Sequence, residues 1–394
     1  PILNRRSLIV SGLATTLAGC ANRGFVATAP ANSIASYGLD ALKPLDLSIE
    51  NLTRITACIR PLRPAGPWLE TERRSGKKIL HNYGHGGSGW SLAWGYAEAA
   101  RDLLSRDRPR SVAVLGAGAI GLTTAIAIAE TGAKVTIFAR DLPKESRSAR
   151  ATGVWSPSSR IALASAVAPD FAARWEALAR RSYARHLSYV GRTGNPVEFT
   201  PRFYIRSERP EPALANPPPD TGNVQTGDFL ELGRQLRGLT PPWREREGTP
   251  FPTEAGVRGG LVMTFNIAEY TRQMIEDFLA MGGRIERTKI GSFEEMMRLP
   301  GEAIANCSGY EAKMLAGDDS LVPVRGQIAW MVPQSDRLYG IYHRGVMALS
   351  RRDGLLIQET GGNDYFGFGD ESEKPKRDEF LAAHAKVAPI FDWS

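Results

Sequence analysis

Cysteine and histidine are scarce in this sequence, which has three cysteines and five histidines among its 394 residues. Three cysteines cannot build a disulfide framework. Cys58 and Cys307 each lie within an apolar, strand-like run, so we expect two buried thiols. His81 and His85 have the four-residue spacing of a helical metal site, but the glycines around them oppose a helix and no acidic cluster lies nearby. The sequence therefore predicts no metal.

Long apolar runs and basic blocks are also missing. No segment has the roughly 18 uninterrupted apolar residues that a membrane span needs. No cluster of lysine and arginine is interleaved with aromatic residues, so nucleic acid is not an expected partner. The net charge of +7 is spread along the chain and suits a mildly basic surface that can attract anionic substrates. The hydrophobic and charged contents, 42% and 23%, are those of an ordinary globular protein with one large or two medium domains.

The first 25 residues have the composition of a targeting segment. Arg5 and Arg6 precede a mildly apolar stretch without acidic residues, which looks like a twin-arginine export signal. The tetrapeptide that ends at Cys20 resembles a lipoprotein cleavage box, with Cys20 as the residue that would carry the lipid. We expect an exported protein on the periplasmic side, attached to the membrane only through that lipid. An ordinary amphipathic N-terminal helix is the alternative, and residues 26–50 are expected to form a polar linker.

A glycine-rich loop, GAGAIG at 116–121, follows the buried apolar strand predicted for 111–115. A helix rich in alanine and isoleucine is predicted for about 122–130, and another parallel strand for 134–138. This order of strand, loop, helix and strand is the context in which such a loop binds a dinucleotide. The first glycine allows the tight turn, the second lets the pyrophosphate approach the backbone, and the third lets the helix pack on the strand.

Hydrophobic periodicity predicts further elements on both sides of this unit. Strands are expected at 55–59, 78–80, 284–287 and 303–307, and helices at 91–104, 170–189 and 268–281. The prolines at 61 and 64 argue against a helix at this point and against a central position in a sheet for the segment that follows. The proline-rich stretch 210–219 is expected to be an exposed loop.

Several motifs together resemble the FAD-dependent D-amino-acid oxidase family. They are IRPLRP at 59–64, HNYGHGGSG at 81–89, ARDLP at 139–143, NCSG at 306–309 and PVRGQ at 323–327. In that family the HNYGHGGSG segment comes near the end of the chain, and the GAGAIG loop comes at its start. Here the order is reversed, which implies a circular permutation. Read in family order, the chain would begin near Arg110, run to Ser394 and continue from about residue 45 to residue 105. Domain termini often lie close together, which makes such rearrangements tolerable.

The resemblance implies an α/β fold with a Rossmann-like FAD-binding domain and a substrate domain built on a mixed or antiparallel sheet. The FAD-binding domain is expected to be discontinuous, at 76–160 and 262–326. The substrate domain would comprise 51–75, 161–261 and 327–394. If the chain is permuted, the turn at 84–89 must meet the isoalloxazine while 116–121 meets the pyrophosphate of the same FAD. Residues near 45 and near 392 must then be neighbours.

The same resemblance assigns the cofactor contacts, and the cofactor that it implies is FAD, held without a covalent bond. The predicted FAD-binding residues are Gly86, Gly87, Ser88, Gly89, Trp90, Ser91, Gly116, Gly118, Ala119, Ile120, Gly121, Arg140, Asp141, Arg147, Ser148, Gly153, Val154, Ile290, Ser308 and Gly309. Arg140 could instead favour a 2′-phosphate and hence NADP. For Arg147, pairing with the pyrophosphate and simple solvation both remain open.

In the substrate site, the resemblance gives Arg60 the place of the arginine that holds the substrate carboxylate. A surface salt bridge is the alternative for Arg60. Tyr342 falls where the family has an active-site tyrosine, although a core aromatic is the alternative. The family's second tyrosine, four residues later, is replaced by Val346, which puts the shape of the substrate pocket in doubt.

The implied reaction is the oxidative deamination of an amino acid or a related amine, with a hydride passing from Cα to flavin N5. No dedicated general base is needed if the amine binds unprotonated. Oxygen is the expected electron acceptor, and a membrane quinone is the alternative. A non-catalytic lipoprotein that binds amino acids is the interpretation from another class.

Overall fold

The computed structural model describes residues 42–207, 232–253, 255–361 and 365–393 of the chain. The proposed export signal with Arg5, Arg6 and Cys20 lies outside these residues, as does the proline-rich stretch 210–219. Two β-sheets carry the fold, one of six strands and one of eight.

The six-stranded sheet is parallel apart from one edge strand, and its spatial order is β2-β3-β10-β4-β5-β9. The strands are β2 (Trp68–Arg74), β3 (Lys77–Tyr83), β4 (Ser111–Leu115), β5 (Lys134–Ala139), β9 (Arg284–Arg287) and β10 (Ala303–Asn306). Its central strands, β4 and β10, are almost wholly buried, as expected for a parallel sheet covered on both faces.

The eight-stranded sheet is mixed, in the order β1-β11-β14-β13-β12-β6-β8-β7, and only the pair of β12 and β6 is parallel. The strands are β1 (Leu52–Leu62), β6 (Val197–Ile205), β7 (Arg244–Arg246), β8 (Val257–Phe265), β11 (Val322–Met331), β12 (Gly340–His343), β13 (Val346–Arg351) and β14 (Gly354–Glu359). Since β1 is an edge strand, Pro61 is accommodated within it without loss of a central hydrogen bond.

Seven α-helices are described in full. They are α1 (Gly89–Ser105), α2 (Ala119–Ala129), α3 (Phe171–Leu187), α4 (Ile267–Ala280), α5 (Phe293–Met297), α6 (Ala312–Leu315) and α7 (Arg377–Val387). Short 3₁₀ turns lie at Ile49–Asn51, Gly86–Ser88, Arg147–Arg150, Ala164–Ala166, Gly309–Glu311 and Ala388–Phe391. Within the described ranges, no helix is both long enough and apolar enough to span a membrane.

The two ends of the described chain lie together in one core. Leu45 and Leu47 share an apolar cluster with Ile390 and Phe391, and this cluster covers one face of the eight-stranded sheet. The Nε2 atom of His384 lies 2.7 Å from the carbonyl oxygen of Leu47. Residues near 45 and near 392 are therefore neighbours, as predicted.

The fold class predicted from the sequence is confirmed: an α/β fold with two mixed sheets. The strands at 111–115 and 284–287 have the predicted bounds, and the helices differ from prediction by about one turn at most. The two cysteines in the described ranges are buried thiols, with 9% and 6% of their surfaces exposed. Much of the eight-stranded sheet was not predicted, notably β6, β8 and β12 to β14. No group of three or more potential metal ligands occurs among the residues whose positions are described.

Candidate functional site

A cleft opens at the carboxyl ends of the parallel strands, where this class of sheet binds ligands. It encloses about 1180 Å³ including its open mouth. Of the predicted cofactor residues, those on its wall are Gly86, Gly89, Gly116, Gly118, Ala119, Ile120, Arg140, Asp141, Arg147, Ser148, Ile290, Ser308 and Gly309. The two glycine-rich segments, 30 residues apart in the sequence, thus line one cleft.

The GAGAIG loop shows why each glycine is needed. Gly116 has φ of +103°, and a Cβ there would collide with the carbonyl oxygen of Cys307, the residue that follows the neighbouring strand β10. A Cβ on Gly118 would lie 2.9 Å from the Oγ atom of Ser148. Gly121 is not on the cleft wall; a Cβ there would meet the carbonyl oxygen of Gly116, so this glycine serves helix packing. The loop backbone is therefore bare where it faces the cleft.

The amino end of α2 points its unpaired N–H groups towards the cleft, an arrangement that suits a phosphate. One N–H group at this helix end does have a partner within the protein: the Oγ atom of Ser148 accepts a hydrogen bond from the Ala119 N–H at 3.0 Å. The indole N–H of Trp90 donates to the carbonyl oxygen of Ser148 at 2.9 Å. Ser148 thus connects the first turn of α2 with the first turn of α1.

A second cavity, about 690 Å³ with its open mouth, adjoins the cleft and shares wall residues with it. Its wall includes the predicted residues Arg60, Gly86, Gly87, Gly89, Trp90, Ser91, Arg147, Ser148, Gly153 and Val154. Ser88 is not on either wall. Its side chain is fully buried, and its Oγ atom donates to the carbonyl oxygen of Ser159 at 2.7 Å. This hydrogen bond anchors the Gly86–Ser88 turn, and the Ser88 side chain faces neither cavity.

Arg60 lies on the wall of this second cavity, which we call the Arg60 cavity. Its Nη1 atom donates to the carbonyl oxygen of Arg325 at 3.1 Å. The guanidinium group occupies the space that a side chain on Gly326 would fill. The thiol of Cys58 lies on the same wall, and burial raises its pKa, so it stays protonated. Arg60 is the one arginine of this wall that lies on a β-strand. Its guanidinium group is held by a hydrogen bond to the neighbouring strand β11.

An ion-pair network surrounds the mouth of the cleft. Arg147 binds Glu311 and Glu373, with nearest distances of 2.9 Å to each carboxylate. Arg140 pairs with Asp141 at 2.6 Å and with Glu311 at 3.1 Å. Burial alone would lower the pKa of Arg147, but the two carboxylates outweigh it and raise this pKa. Two carboxylates therefore hold the side chain of Arg147 in this structure, and its pairing with the pyrophosphate stays a prediction.

The two histidines of the HNYGHGGSG segment are buried and belong to the framework. His81 lies 3.0 Å from a carboxylate oxygen of Glu72 on the adjacent strand and stacks on Trp68. Burial lowers the pKa of His85 to about 3, so its imidazole is neutral at physiological pH. The ring of His85 packs edge-on against Tyr96 at 4.4 Å. Both histidines are buried, and among the described residues neither belongs to a group of three or more potential metal ligands.

Tyr342 lies on β12 and on neither cavity wall; its ring stacks on Tyr204 of β6, with ring centres 5.3 Å apart and planes 13° apart. Val346 points to the opposite face of the sheet, where it is fully buried with residues such as Phe380. The residue that shares the face of Tyr342 on the paired strand is Met347. Tyr342 and Val346 lie on opposite faces because the hairpin turn between β12 and β13 pairs Val346 with His343. The effect of this replacement on the substrate pocket stays a prediction.

Sequence reasoning missed several residues at these cavities. Asn82 and Glu311 line the cleft, and Thr152 lines the Arg60 cavity, where it is hydrogen-bonded to Gln358. Asn82 stands within the HNYGHGGSG motif, so the motif itself was a signal for it. No sequence signal pointed to Tyr204, because its partner Tyr342 is 138 residues away and only the parallel pairing of β6 and β12 brings them together.

Comparison with known proteins identifies the family. The profile of the DAO family of FAD-dependent oxidoreductases matches residues 111–393, so the chain belongs to this family. A D-amino-acid oxidase from Rubrobacter xylanophilus is 31% identical over 225 residues, which cover 55% of this chain and 57% of that protein. A D-amino-acid oxidase from Dictyostelium discoideum is 24% identical over 281 residues, 71% of this chain and 73% of that one.

The aligned region thus spans little more than half of the first of these relatives. Among solved structures, the glycine oxidase of Geobacillus kaustophilus superposes with a TM-score of 0.50 and 16% identity, covering 72% of this chain and 78% of that one. This likeness concerns the fold.

FAD is the cofactor of this family, and the cleft fits it. The loop backbone at 116–118 has no side chain that would block a pyrophosphate, and the amino end of α2 offers N–H groups to it. The Oδ1 atom of Asn82, on the cleft wall, is buried without a hydrogen-bond partner. The Arg60 cavity continues the cleft beyond the Gly86–Ser88 turn, which gives room for a ring system at one end of a dinucleotide.

Proposed function

We propose that this protein oxidises an amino acid or a closely related amine, with FAD as its redox cofactor. The observation that carries this proposal is the position of Arg60 on the cavity that adjoins the dinucleotide cleft, beside Gly86, Gly87 and Gly153. A guanidinium group binds a carboxylate through two parallel hydrogen bonds, and this pairing would fix the α-carbon of the substrate. Bound FAD would supply the hydride acceptor.

The residues around Arg60 suit a substrate that enters with a neutral amine. None of the described residues on the wall of the Arg60 cavity is a histidine, aspartate or glutamate. His85 of the HNYGHGGSG motif is buried, and its imidazole is neutral because burial lowers its pKa. The chain therefore contributes binding and orientation of the substrate, and no proton acceptor on this wall is required.

The predicted FAD contacts belong to the same proposal. Gly116, Gly118 and the first turn of α2 would receive the pyrophosphate, and Arg140 and Asp141 would lie near the adenosine ribose. The turn at Gly86–Ser88, followed by Gly89, Trp90 and Ser91, would present N–H groups to the side of the flavin ring where negative charge increases on reduction. The cavity positions of these residues support the assignment.

The test is a visible spectrum of the purified protein during anaerobic addition of D- and L-amino acids. We expect a yellow protein that bleaches with one of the two series. Arg60→Ala should slow the bleaching by roughly a thousandfold or more, because a charge-assisted bidentate contact is lost. Arg54→Ala is the matched control: Arg54 is on the same strand and stacks over Trp330, away from the cavity wall. A colourless protein, or an Arg60→Ala variant as fast as wild type, would contradict the proposal.

Oxygen is the proposed electron acceptor. Admitting air to the bleached protein should restore the yellow colour and release one peroxide for each substrate oxidised. If colour returns only after a soluble quinone is added, the protein is a dehydrogenase and the oxygen assignment is wrong. Peroxide is measured with a coupled peroxidase assay, with catalase as the control.

The proposed circular permutation is supported by the family match that begins at residue 111, just before the GAGAIG loop. It is also supported by the place of β3, with the HNYGHGGSG motif, beside β10 in the parallel sheet, and by the contact of residues 45–47 with 390–391. A chain that begins at Arg110, joins Trp393 to Pro44 through a short linker and ends at Ser105 should fold and bind FAD. An insoluble, colourless product from this rearranged chain would count against the permutation.

Export and lipid attachment at Cys20 rest on the sequence pattern alone. Expression of the full gene with radiolabelled palmitate should label the wild-type protein and leave a Cys20→Ser variant unlabelled. Replacement of Arg5 and Arg6 by lysine should retain the protein in the cytoplasm. Equal labelling of the two proteins would refute the lipid assignment.

A further inference from the structure

We infer that Tyr204 is a specificity-determining residue, which forms with Tyr342 an aromatic wall for the side chain of the substrate. This inference rests on the proposed function, because it assigns the part of the amino acid that Arg60 does not hold. Tyr204 belongs to none of the motifs that mark the family in this sequence. It lies near the end of β6, on a strand that sequence reasoning did not predict.

The alternation of side chains places Tyr204 on the functional face of the eight-stranded sheet. Its neighbours Phe203 and Ile205 point into the core that packs against α7. Tyr204 must therefore point to the other face, which also carries Tyr342 and Met347. The same face carries Cys58 and Arg60 on β1, both of which line the Arg60 cavity.

Two series of contacts connect the tyrosine pair with the Arg60 cavity. Met347 and Val154, a residue of the cavity wall, both pack against one small apolar cluster, which consists of Ile328, Trp330, Leu349 and Leu356. On the other side, the Oγ1 atom of Thr360 lies 3.4 Å from the hydroxyl oxygen of Tyr342. The carbonyl oxygen of Thr360 accepts a hydrogen bond from Arg160 at 3.3 Å. Arg160 in turn packs behind Gly86, whose missing Cβ leaves room for its carbonyl oxygen.

The exposure of the pair fits a binding surface rather than a packed core. Tyr204 is 39% exposed, whereas Phe203, Phe265 and Trp330 on strands of the same sheet are almost fully buried. Tyr342 is half-buried, and the nearly parallel stacking of the two rings holds them in one orientation. A large apolar side chain held in place but left partly open to solvent is the usual basis of side-chain recognition.

Tyr204 and Tyr342 together would give the proposed side-chain pocket two aromatic rings. Val346, which replaces the family's second tyrosine, points to the opposite face of the sheet. The second ring comes from β6 and not from the hairpin of Tyr342. On the same face, Met347 is paired with Tyr342 across the hairpin and offers an adaptable apolar side chain. The wall is therefore suited to amino acids with apolar or aromatic side chains, while Arg60 binds the carboxylate that every amino acid has.

The experiment compares wild type, Tyr204→Ala and Tyr204→Phe with glycine, alanine, leucine and phenylalanine of the hand that wild type oxidises. For Tyr204→Ala, we expect kcat/KM for leucine and phenylalanine to fall by roughly 10- to 100-fold relative to glycine. Most of the loss should be in KM. Tyr204→Phe should keep the wild-type order, because the ring and not the hydroxyl forms the wall.

Trp393→Ala is the matched control, since it removes an aromatic ring that packs on the opposite face of the same sheet, against Phe251. It should leave the ratio between phenylalanine and glycine within about twofold of wild type. A second readout needs no turnover: the affinities for acetate and phenylacetate, measured from the change in flavin absorbance. The preference for phenylacetate should fall at least tenfold in Tyr204→Ala.

Unchanged substrate ratios and unchanged phenylacetate preference in Tyr204→Ala would overturn the inference while leaving the proposed function intact. If wild type is neither reduced by an amino acid nor able to bind a carboxylate, the proposed function fails first, and this inference fails with it. The two failures are therefore distinguishable.

Discussion

The six-stranded and eight-stranded sheets contribute different kinds of groups to the candidate site. In the six-stranded sheet, the site is made of bare backbone: a glycine loop and a helix terminus beside buried apolar strands. In the eight-stranded sheet, the face that carries Arg60 also carries large polar and aromatic side chains, including the fully buried Arg351 and the stacked Tyr204. In the six-stranded sheet, the arrangement depends on the absence of a side chain at a few glycine positions. In the eight-stranded sheet, it depends on contacts between side chains that are distant in the sequence.

The largest expected effect tests the buried charge of the eight-stranded sheet. Arg351 is completely buried, pairs with Asp353 at 2.8 Å and donates to the carbonyl oxygens of Ala151 and Thr152. Arg351→Met should lower the free energy of unfolding by about 3–5 kcal/mol, because it leaves a partly buried carboxylate unpaired. The measurement is chemical denaturation of the holoprotein.

Its control is the adjacent Arg352, which is exposed and pairs with Glu198. Arg352→Met should cost at most about 1 kcal/mol, as surface pairs do. If both variants lose the same stability, burial is not what distinguishes the charges of this sheet.

The next effect tests the bare backbone of the six-stranded sheet. In Gly116→Ala, the new methyl group meets the carbonyl oxygen of Cys307 in a left-handed conformation, a strain of about 1–3 kcal/mol before any displacement of the loop. We expect FAD to bind at least roughly tenfold more weakly, as measured by recovery of flavin fluorescence on dilution.

Gly132→Ala is the matched control, since Gly132 also has positive φ, at +86°, but nothing lies within 4 Å of its added Cβ. It should cost some stability and leave FAD affinity unchanged. An equal loss of FAD affinity in the two variants would show that backbone strain, and not the close approach at the loop, controls binding.

A smaller effect is expected where a side chain supports the helix terminus. Ser148→Ala removes the hydroxyl group that accepts the N–H of Ala119, which should cost about 1 kcal/mol and weaken FAD binding about fivefold. Ser292 is the control because its Oγ atom caps α5 by accepting the N–H of Glu295. Ser292→Ala should lower stability to a similar extent without any change in FAD affinity.

The smallest effect tests the connection between the two regions. The hydrogen bond from Arg147 lowers the pKa of Glu373, although partial burial opposes this. A lowered pKa in the folded protein means that this contribution to stability is present above the usual glutamate pKa of 4.5 and is lost as the pH falls through the folded value. We therefore expect FAD to dissociate faster at a pH well below 4.5 than at pH 7, because the ion pair beside the cleft is then lost.

Glu373→Gln should show the faster rate already at pH 7 and respond less to acid. Glu302→Gln, which removes an exposed pair with Arg110 at the far side of the sheet, is the control. A pH response in Glu373→Gln equal to that of wild type would contradict the role of this ion pair.

The sequence predictions were more accurate for the six-stranded sheet than for the eight-stranded sheet. The unit from Ser111 to Ala139 was predicted closely, because an apolar strand, a glycine loop and a helix are local features. Cleft-wall positions such as Arg140 and Ile290 came from motif resemblance, and the structure places them on the cleft. The orientation of Val346 relative to Tyr342 was not predicted, since a spacing of four residues says nothing about which face of a hairpin each side chain occupies.

The sequence by itself determined the family, the cofactor class and the local form of the nucleotide loop, because glycine positions and apolar periodicity act over a few residues. Only the tertiary structure brought Tyr204 onto Tyr342, Arg147 between Glu311 and Glu373, and the buried Arg351 onto the backbone carbonyl groups of residues 151 and 152. Strand pairing and face alternation decide such contacts, and both depend on the register of strands that are far apart in the chain.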